Sequence, residues 1–254
     1  MLKTRVIPAL LLKNGGLVKT TKFKDPKYVG DPINAIKIFN EKQVDELMVL
    51  DITASKEGRE PNYGLIEQFA GECFMPLAYG GGIHSVEQAQ RLFSSGVEKI
   101  CLQSSALENP KLVTQLADRF GSQSIMVSVD VKRNWLGNPL VYQAKDMKTM
   151  STNWLGLMRQ LVQAGAGEVL LNAVDKDGTL SGPDLDLIQK ASKAIEVPLI
   201  AVGGISSLTD IRDAVRSGAS GVAAGAFFVY YGPHRAVLIT YPHYEELKKL
   251  ILTE

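Results

Sequence analysis

The stretch that decides the fold is Met75-Pro-Leu-Ala-Tyr-Gly-Gly-Gly-Ile83. Its apolar run Met75–Tyr79 predicts a buried strand, and the three glycines after it predict a tight turn. Ser85 then predicts the N-cap of a helix over Val86–Ser95, with Gly96 just past its end. A strand joined to a helix by a glycine turn is the repeating unit of an α/β fold with parallel strands.

The same unit recurs in the second half of the chain. Gly81-Gly82-Ile83 returns as Gly203-Gly204-Ile205, and Ser95-Gly96 returns as Ser217-Gly218, at one offset of 122 residues (203 minus 81, 217 minus 95). Glycines after helices also arise from capping alone, but a shared offset favours duplication. We therefore expect one domain over residues 1–254, built from half-barrels of about 1–122 and 123–254.

Eight strand–helix pairs can be traced along the chain. The predicted strands are Val6–Leu12, Leu47–Asp51, Met75–Tyr79, Lys99–Leu102, Ser124–Asp130, Glu168–Asn172, Pro198–Val202 and Gly221–Ala224. The predicted helices are Pro32–Lys42, Gly64–Cys73, Val86–Ser95, Pro110–Phe120, Asn153–Ala164, Leu185–Ile195, one opened by Ser207 or Thr209 that ends before Gly218, and Tyr244–Leu252. A polar loop over Lys13–Asp31 and a small hairpin over Arg133–Lys148 interrupt the alternation. Eight pairs predict a closed (β/α)₈ barrel. An open doubly wound sheet is disfavoured because no G-x-G-x-x-G follows the first strand.

Composition excludes several functional classes. The chain carries 28 Lys+Arg against 27 Asp+Glu, a net charge of +1, and so has no global field to gather nucleic acid or an anionic membrane. Cys73 and Cys101 are far apart, and with three histidines they form no metal-ligand spacing; we expect buried thiols, no metal and no cofactor. The chain start lacks the pattern of a signal peptide, and the longest apolar run, Gly221–Tyr231, is too short to span a bilayer, so a cytoplasmic location is expected.

Barrel active sites lie at the carboxyl ends of the strands, and several candidate groups stand there. The Gly81-Gly82 and Gly203-Gly204 turns suit a ligand with a phosphate at each end, because glycine lets the backbone approach an anion closely. Tight turns without any ligand are the alternative. Asp130 follows the fifth apolar run as a candidate general acid or base. It could equally orient Lys132 or bind a ligand hydroxyl.

Four charges stand at the starts of strands one, two, four and six, at the opposite end of the predicted barrel. They are Arg5, Glu46, Lys99 and Glu168. Two cations and two anions at one barrel mouth can pair in a ring, which from spacing alone reads as a stabilising feature.

Seven runs carry a resemblance to a known family. They are Leu2–Pro8, Val49–Ser55, Gly80–His84, Glu108–Pro110, Phe120–Gln123, Val129–Lys132 and Asp175–Thr179. In order, over essentially the whole chain, they resemble HisF, the cyclase subunit of imidazole glycerol phosphate synthase. The resemblance implies a duplicated (β/α)₈ barrel with a HisH-like glutaminase docked on its bottom. Ammonia would pass through the barrel to a bisphosphorylated substrate at the top.

The resemblance also implies roles for individual residues. Arg5, Glu46, Lys99 and Glu168 match the family's ammonia-gate residues one for one, which replaces the purely stabilising interpretation. Asp130 matches one of the family's two catalytic aspartates. The other aspartate belongs to a pattern Ile-Pro-Cys-Leu-Asp-Val, and here its position is Leu11. A leucine transfers no proton, so we expect cyclase activity to be lost.

Further positions depart from the family pattern. An Asn-Thr pair after strand four is Gln103-Ser104, a phosphate-holding serine after strand eight is Gly225, and a serine before the strand-seven glycines is Val202. The residues expected to bind phosphate or ligand are Lys19, Gly82, Gln103, Ser104, Asp177, Gly178, Gly203, Gly204, Gly225 and Ala226.

These departures are similar to the HisF-like proteins of surface-polysaccharide clusters, the WbuZ group. That likeness implies an ammonia-channelling subunit that serves a separate sugar amidotransferase. Two alternatives stay open: a cyclase that works with one aspartate, and a non-catalytic scaffold that activates a glutaminase. Leu11 argues against the first, and the retained bottom charges argue against the second.

Overall fold

Eight parallel strands close into a barrel in the computed structural model, which describes residues 4–243, 245–247 and 249. In chain order the barrel strands are β1 (Arg5–Lys13), β2 (Leu47–Asp51), β3 (Leu77–Gly80), β4 (Lys99–Leu102), β5 (Ile125–Arg133), β6 (Glu168–Ala173), β7 (Leu199–Val202) and β8 (Gly221–Ala224). Each pairs in parallel with its neighbours in the chain, and β8 returns to pair with β1, Ile7 lying opposite Ala223. The predicted (β/α)₈ barrel is confirmed.

Helices cover the outside of the barrel between successive strands. They are α1 (Pro32–Glu41), α2 (Tyr63–Glu72), α3 (Val86–Ser94), α4 (Pro110–Phe120), α5 (Trp154–Gln163), α6 (Leu185–Ser192) and α7 (Leu208–Arg216). Local chemistry fixes their starts: the side chains of Asp31, Ser85 and Ser207 accept hydrogen bonds from the first turns of α1, α3 and α7. Ser207, not Thr209, is the N-cap of α7. The predicted helix over Tyr244–Leu252 falls largely outside the described residues.

Side chains alternate along the strands between two apolar layers. The outward-facing residues, such as Val6 and Leu10 of β1, pack beneath the helices. The inward-facing ones form a separate cluster inside the barrel, made of Ile7, Ala9, Met48, Ala78, Cys101, Met126, Leu170, Ile200 and Ala223. An apolar layer therefore separates the two ends of the barrel.

The prediction of a polar loop over Lys13–Asp31 is wrong. The segment folds as a hairpin, with strands Gly16–Thr21 and Lys24–Gly30, and its first strand pairs with the end of β1. The turn Asn14-Gly15 (φ 52° and 78°) joins β1 to the first added strand, and the turn Lys22-Phe23 (φ 53° and 62°) forms the tip of this first hairpin. Positive φ at both residues is what a tight two-residue turn requires. The hairpin carries Lys19 and Thr20 over the top of the barrel.

The predicted excursion after Asp130 is confirmed as a hairpin, but Asp130 does not end its strand. β5 continues to Arg133 because Val131 pairs with Val141 of the added strand Pro139–Gln143, and a short third strand, Lys148–Met150, follows. The sequence analysis also missed two short helices after β4 and β8, Ser104–Glu108 and Ala226–Val229, and a small strand pair, Tyr230–Tyr231 with Ala236–Val237.

The two glycine turns that predicted the duplication have matching backbones. Gly81 and Gly203 have φ of 117° and 109°, and Gly82 and Gly204 have φ of 73° and 90°. A Cβ on Gly203 would lie 2.7 Å from the Ala173 carbonyl oxygen, and one on Gly81 would collide with the Asp51 carbonyl. Both turns therefore need glycine for the chain to pass its neighbouring strand, as related half-barrels would.

Within the described ranges, no helix combines the length and the apolar character needed to cross a bilayer.

Candidate functional site

A cavity of about 480 Å³ opens at the carboxyl ends of the strands. Of the residues singled out in the sequence, it is lined by Leu11, Lys19, Gly82, Gln103, Ser104, Asp130, Asp177 and Gly225. A small adjoining pocket is lined by Gly178, Gly203, Gly204 and Ala226 together with Asp177 and Gly225. The fold therefore brings all the predicted ligand-binding positions to one face of the barrel.

Asp130 is buried at the floor of this cavity and is held by two donors. The Ser128 hydroxyl donates to one carboxylate oxygen at 2.7 Å, and the Gln103 side-chain amide donates to the other at 3.2 Å. Burial raises the pKa of Asp130 to about 7, against the lowering effect of the Ser128 hydrogen bond. A carboxyl with that pKa exchanges protons near neutral pH, which suits a general acid or base.

The surroundings of Asp130 show whether it orients Lys132, which is one of the alternatives that the sequence left open. Lys132 forms no ion pair with Asp130 in the described part of the chain; its Nζ lies 5.2 Å from the centre of the Tyr142 ring. Gln103 also donates to the Tyr142 carbonyl oxygen at 2.8 Å. Asp130 therefore does not orient Lys132, and its carboxylate is itself held by Ser128 and Gln103.

Lys19 reaches into the cavity from the first hairpin. Its Nζ donates to the Ala9 carbonyl oxygen at 2.5 Å, and only 5% of the residue is exposed. Burial lowers the pKa of Lys19 to about 8, although the charge of Asp177 opposes this shift. Asp177 is partly exposed, but loss of solvation around its carboxyl raises its pKa, and it accepts a hydrogen bond from the Thr20 hydroxyl at 3.0 Å.

Gly225 makes room for the Lys19 ammonium group. A Cβ at this position would overlap the Lys19 Nζ and would lie 2.9 Å from its Cε. Any other residue at position 225 would therefore move the lysine. The end of β8 therefore contributes no side chain at this point, and the Lys19 ammonium group occupies the space instead.

Leu11 brings an apolar side chain to the cavity wall formed by β1. It faces inward from β1 above Ala9 and pairs in the sheet with Leu50 of β2, which also lines the cavity. At this position β1 therefore offers Asp130 no second carboxylate.

The polar groups of the predicted phosphate position beside Gly82 and Ser104 already make internal hydrogen bonds. The Gly82 N–H donates to the Ser55 hydroxyl at 3.1 Å, and the Ser104 hydroxyl donates to the Gln103 side-chain oxygen at 2.9 Å. An anion beside Gly82 and Ser104 must therefore compete with internal hydrogen bonds. Phosphate binding at both turns stays a prediction.

At the opposite end of the barrel, four charges form one closed cluster, the bottom ring, made of Arg5, Glu46, Lys99 and Glu168. Arg5 pairs with Glu46 at 2.5 Å and also with Glu168, and Lys99 pairs with the same two carboxylates at 3.1 and 3.0 Å. Both glutamates are buried, while the two cations are partly exposed. Burial alone lowers the pKa of Arg5, but the hydrogen bonds and charges of Glu168 and Glu46 outweigh it and raise the pKa.

Comparison with known proteins shows which family the chain belongs to. The family described as "Histidine biosynthesis protein" matches residues 5–234. The chain belongs to the histidine biosynthesis protein family.

Relatives within this family point to the HisF type. The chain is 40% identical to the imidazole glycerol phosphate synthase subunit HisF of Streptococcus sanguinis, over 91% of this chain and 92% of that protein. It is 50% identical, over 97% and 99%, to a Pseudomonas aeruginosa protein provisionally named imidazole glycerol phosphate synthase subunit hisF2. A Leptospira interrogans protein with the provisional name HisF is 48% identical over 98% and 99%.

The site of this HisF-type chain also contains contacts that were not predicted from the sequence. The hydroxyls of Ser128 and Thr20 hold Asp130 and Asp177, and Phe23 at the first hairpin's tip packs edge-on against Tyr142 at 5.7 Å. Ser128 stands two residues before Asp130, so strand alternation places both side chains inside the barrel and could have revealed this pair. The contact between Phe23 and Tyr142 joins two segments distant in the chain, and no local signal predicts it.

Proposed function

We propose that this HisF-type chain is the ammonia-accepting synthase subunit of a glutamine-dependent complex. A HisH-like glutaminase docks over the bottom ring, and its ammonia crosses the barrel to a phosphorylated ligand in the cavity at the top. The observation that carries this proposal is the pairing of two features in one barrel: a ring of four charges at one mouth and a buried carboxyl with a pKa near 7 at the other.

The bottom ring supports passage of a small neutral molecule rather than simple closure. Burying four charges costs solvation energy that ion pairing offsets only with good geometry. Apolar side chains would close the mouth without that cost. Charged side chains can separate and pair again, which lets a neutral molecule the size of water through. Lys99, with its long flexible stem and single charged head, is the member that swings.

The top of the barrel supports a phosphorylated ligand. The buried Lys19 ammonium lies where the cavity meets the pocket lined by Gly203, Gly204 and Ala226. A cation next to a glycine-lined turn at the start of a helix favours an anion. The opposite phosphate would lie by Gly82 and Ser104.

Two acceptors for the ammonia fit these features, and they are chemically distinct. The first is the bisphosphorylated substrate of imidazole glycerol phosphate synthase, and the names of the relatives favour it. The second is a sugar, amidated by a separate amidotransferase in surface-polysaccharide biosynthesis. Leu11 favours the second, because loss of a general acid or base costs roughly 10²- to 10⁴-fold in rate.

Complementation separates the two acceptors. The chain and its Leu11→Asp variant are each expressed in a histidine auxotroph that lacks its cyclase subunit but retains its glutaminase. Growth without histidine from the unmodified chain establishes the cyclase. Growth from the Leu11→Asp variant alone shows that only the second carboxylate is missing, and excludes the unmodified chain from histidine synthesis.

A biochemical assay tests the shared part of the proposal. The purified chain is combined with a HisH-like glutaminase, and glutamine hydrolysis is measured with and without the bisphosphorylated substrate. We expect a complex and faster hydrolysis in it. A glutaminase that neither binds nor responds would refute the proposal for both acceptors.

A further inference from the structure

Asn172 is an inward-facing residue of β6 that the site described above leaves unused. β6 places Glu168, Leu170 and Asn172 on its inner face in succession, since side chains alternate along a strand. Glu168 belongs to the bottom ring, Leu170 to the apolar interior, and Asn172 to the cavity at the top. The two ends of this series are about 13 Å apart at 3.3 Å per residue.

The Asn172 carboxamide has no hydrogen-bond partner within the described ranges of the chain, and its Oδ1 is buried. Its neighbour Asp130, directly opposite in the sheet, has both oxygens engaged. On the other side, Val202 offers no polar group. Buried polar atoms in folded proteins are nearly always hydrogen-bonded, because an unmet acceptor loses its water without replacement. The unmet oxygen therefore points to a donor that occupies the cavity in the working protein.

We propose that Asn172 Oδ1 binds the ammonia that leaves the barrel interior and holds it beside Asp130. This inference rests on the proposed function. Ammonia carries three N–H donors and one lone pair. An amide oxygen accepts one N–H and leaves the lone pair free to attack the acceptor.

The surroundings of Asn172 favour ammonia over a donor group of the phosphorylated ligand. Asn172 is the residue of β6 directly above Leu170 on the inner face, so it stands where the apolar interior meets the cavity. Lys19, Gly82 and Gly204, which suit the ligand's phosphates, follow β1, β3 and β7, and Gly178 lies five residues beyond the end of β6. A molecule that crosses the interior reaches the Asn172 oxygen as it enters the cavity.

Nuclear magnetic resonance tests the binding step without any turnover. The chain is labelled with ¹⁵N-asparagine, and the Asn172 side-chain signal is assigned by its absence in Asn172→Ala. Ammonium chloride is added at alkaline pH, where much of it is ammonia, and sodium chloride at equal strength is the control. We expect a saturable shift of the Asn172 signal with ammonium chloride only. No shift, or an equal shift with sodium chloride, overturns the inference whatever the enzyme's activity.

Kinetics with ammonium salt in place of glutamine then separates the two candidate occupants, using the acceptor identified by the tests above. Loss of one hydrogen bond predicts that Asn172→Ala and Asn172→Leu raise the KM for ammonia about five-fold, with the KM for the phosphorylated ligand unchanged. Asn172→Thr, which keeps an oxygen acceptor, should restore much of the loss. Asn138→Ala, an exposed asparagine at a hairpin turn, is the matched control.

The reverse pattern contradicts the inference: a raised KM for the ligand and an unchanged KM for ammonia assign Asn172 to the ligand instead. Failure of the wild-type chain to use any acceptor refutes the proposed function, while the resonance result still decides whether Asn172 binds ammonia.

Discussion

Replacing Gly225 should expel Lys19 from the top of the barrel. Even the single Cβ of Gly225→Ala would overlap the Lys19 Nζ, and the amine must swing into the open cavity. It would lose its hydrogen bond to the Ala9 carbonyl and its burial together. We expect the pKa of Lys19 to return from about 8 towards its ordinary value of 10.5.

The shift predicts a signed change in stability with pH. In the wild type, both folded and unfolded chains hold the Lys19 proton below pH 8, so the cost of burying the charge is present in full. Between pH 8 and 10.5 the folded chain releases this proton before the unfolded chain does, and stability rises with pH. A difference of 2.5 between the two pKa values corresponds to about 3 kcal/mol.

The assay is urea unfolding of the wild type and of Gly225→Ala at a series of pH values from 7 to about 10.5. Relative to the variant, the wild type should gain up to about 3 kcal/mol over this range. Gly71→Ala is the matched control, because a Cβ there meets no atom within 4 Å. Wild-type and Gly225→Ala stabilities that run parallel across the series would refute the placement of Lys19 against Gly225.

Three further changes have signed outcomes. Asp130→Asn should stabilise the protein by up to about 4 kcal/mol above pH 7 and by nothing below pH 3.8, because the raised pKa of about 7 makes the charged carboxylate costly in the folded protein. Urea unfolding at pH 4 and pH 8 measures this difference, and an equal effect at both pH values contradicts it. Leu11→Asp should raise cyclase turnover with ammonium salt by roughly 10²- to 10⁴-fold, and no gain would show that more of the top face has been lost. Lys99→Ala should lower the amount of product formed per glutamine consumed in the glutaminase complex. The control is Lys193→Ala, which changes a lysine at the end of α6. An unchanged ratio of product to glutamine in Lys99→Ala rules out gating by the bottom ring.

The barrel could be predicted from the sequence because its signals are local. Strand β4 and helix α4 were predicted to the residue, since apolar runs, N-caps and glycines act within a few positions. The turn from β1 into the first hairpin also had a local signal, Asn14-Gly15 between two apolar runs, but the many charged residues around it masked the pattern. The short helices after β4 and β8 were missed because four or five residues are too few to show a helical period.

The site could be predicted only in part. Residue types and strand ends led to Asp130 and to the four charges of the bottom ring, and the resemblance to HisF led to Leu11 and to the gate role expected of that ring. The seat of Lys19 against Gly225 and Ala9 could not be predicted, because it joins β1, β8 and a hairpin at distances that only the closed barrel fixes. The unpartnered oxygen of Asn172 likewise becomes visible only when every neighbouring donor has a position.

Hydrogen–deuterium exchange of the chain, alone and with a HisH-like glutaminase, tests the central claim most directly. The account predicts slower exchange in the complex for peptides around Arg5, Glu46, Lys99 and Glu168, and unchanged exchange in the hairpin that carries Lys19. Slower exchange confined to that hairpin, or no change anywhere in the chain, would contradict a glutaminase docked over the bottom ring.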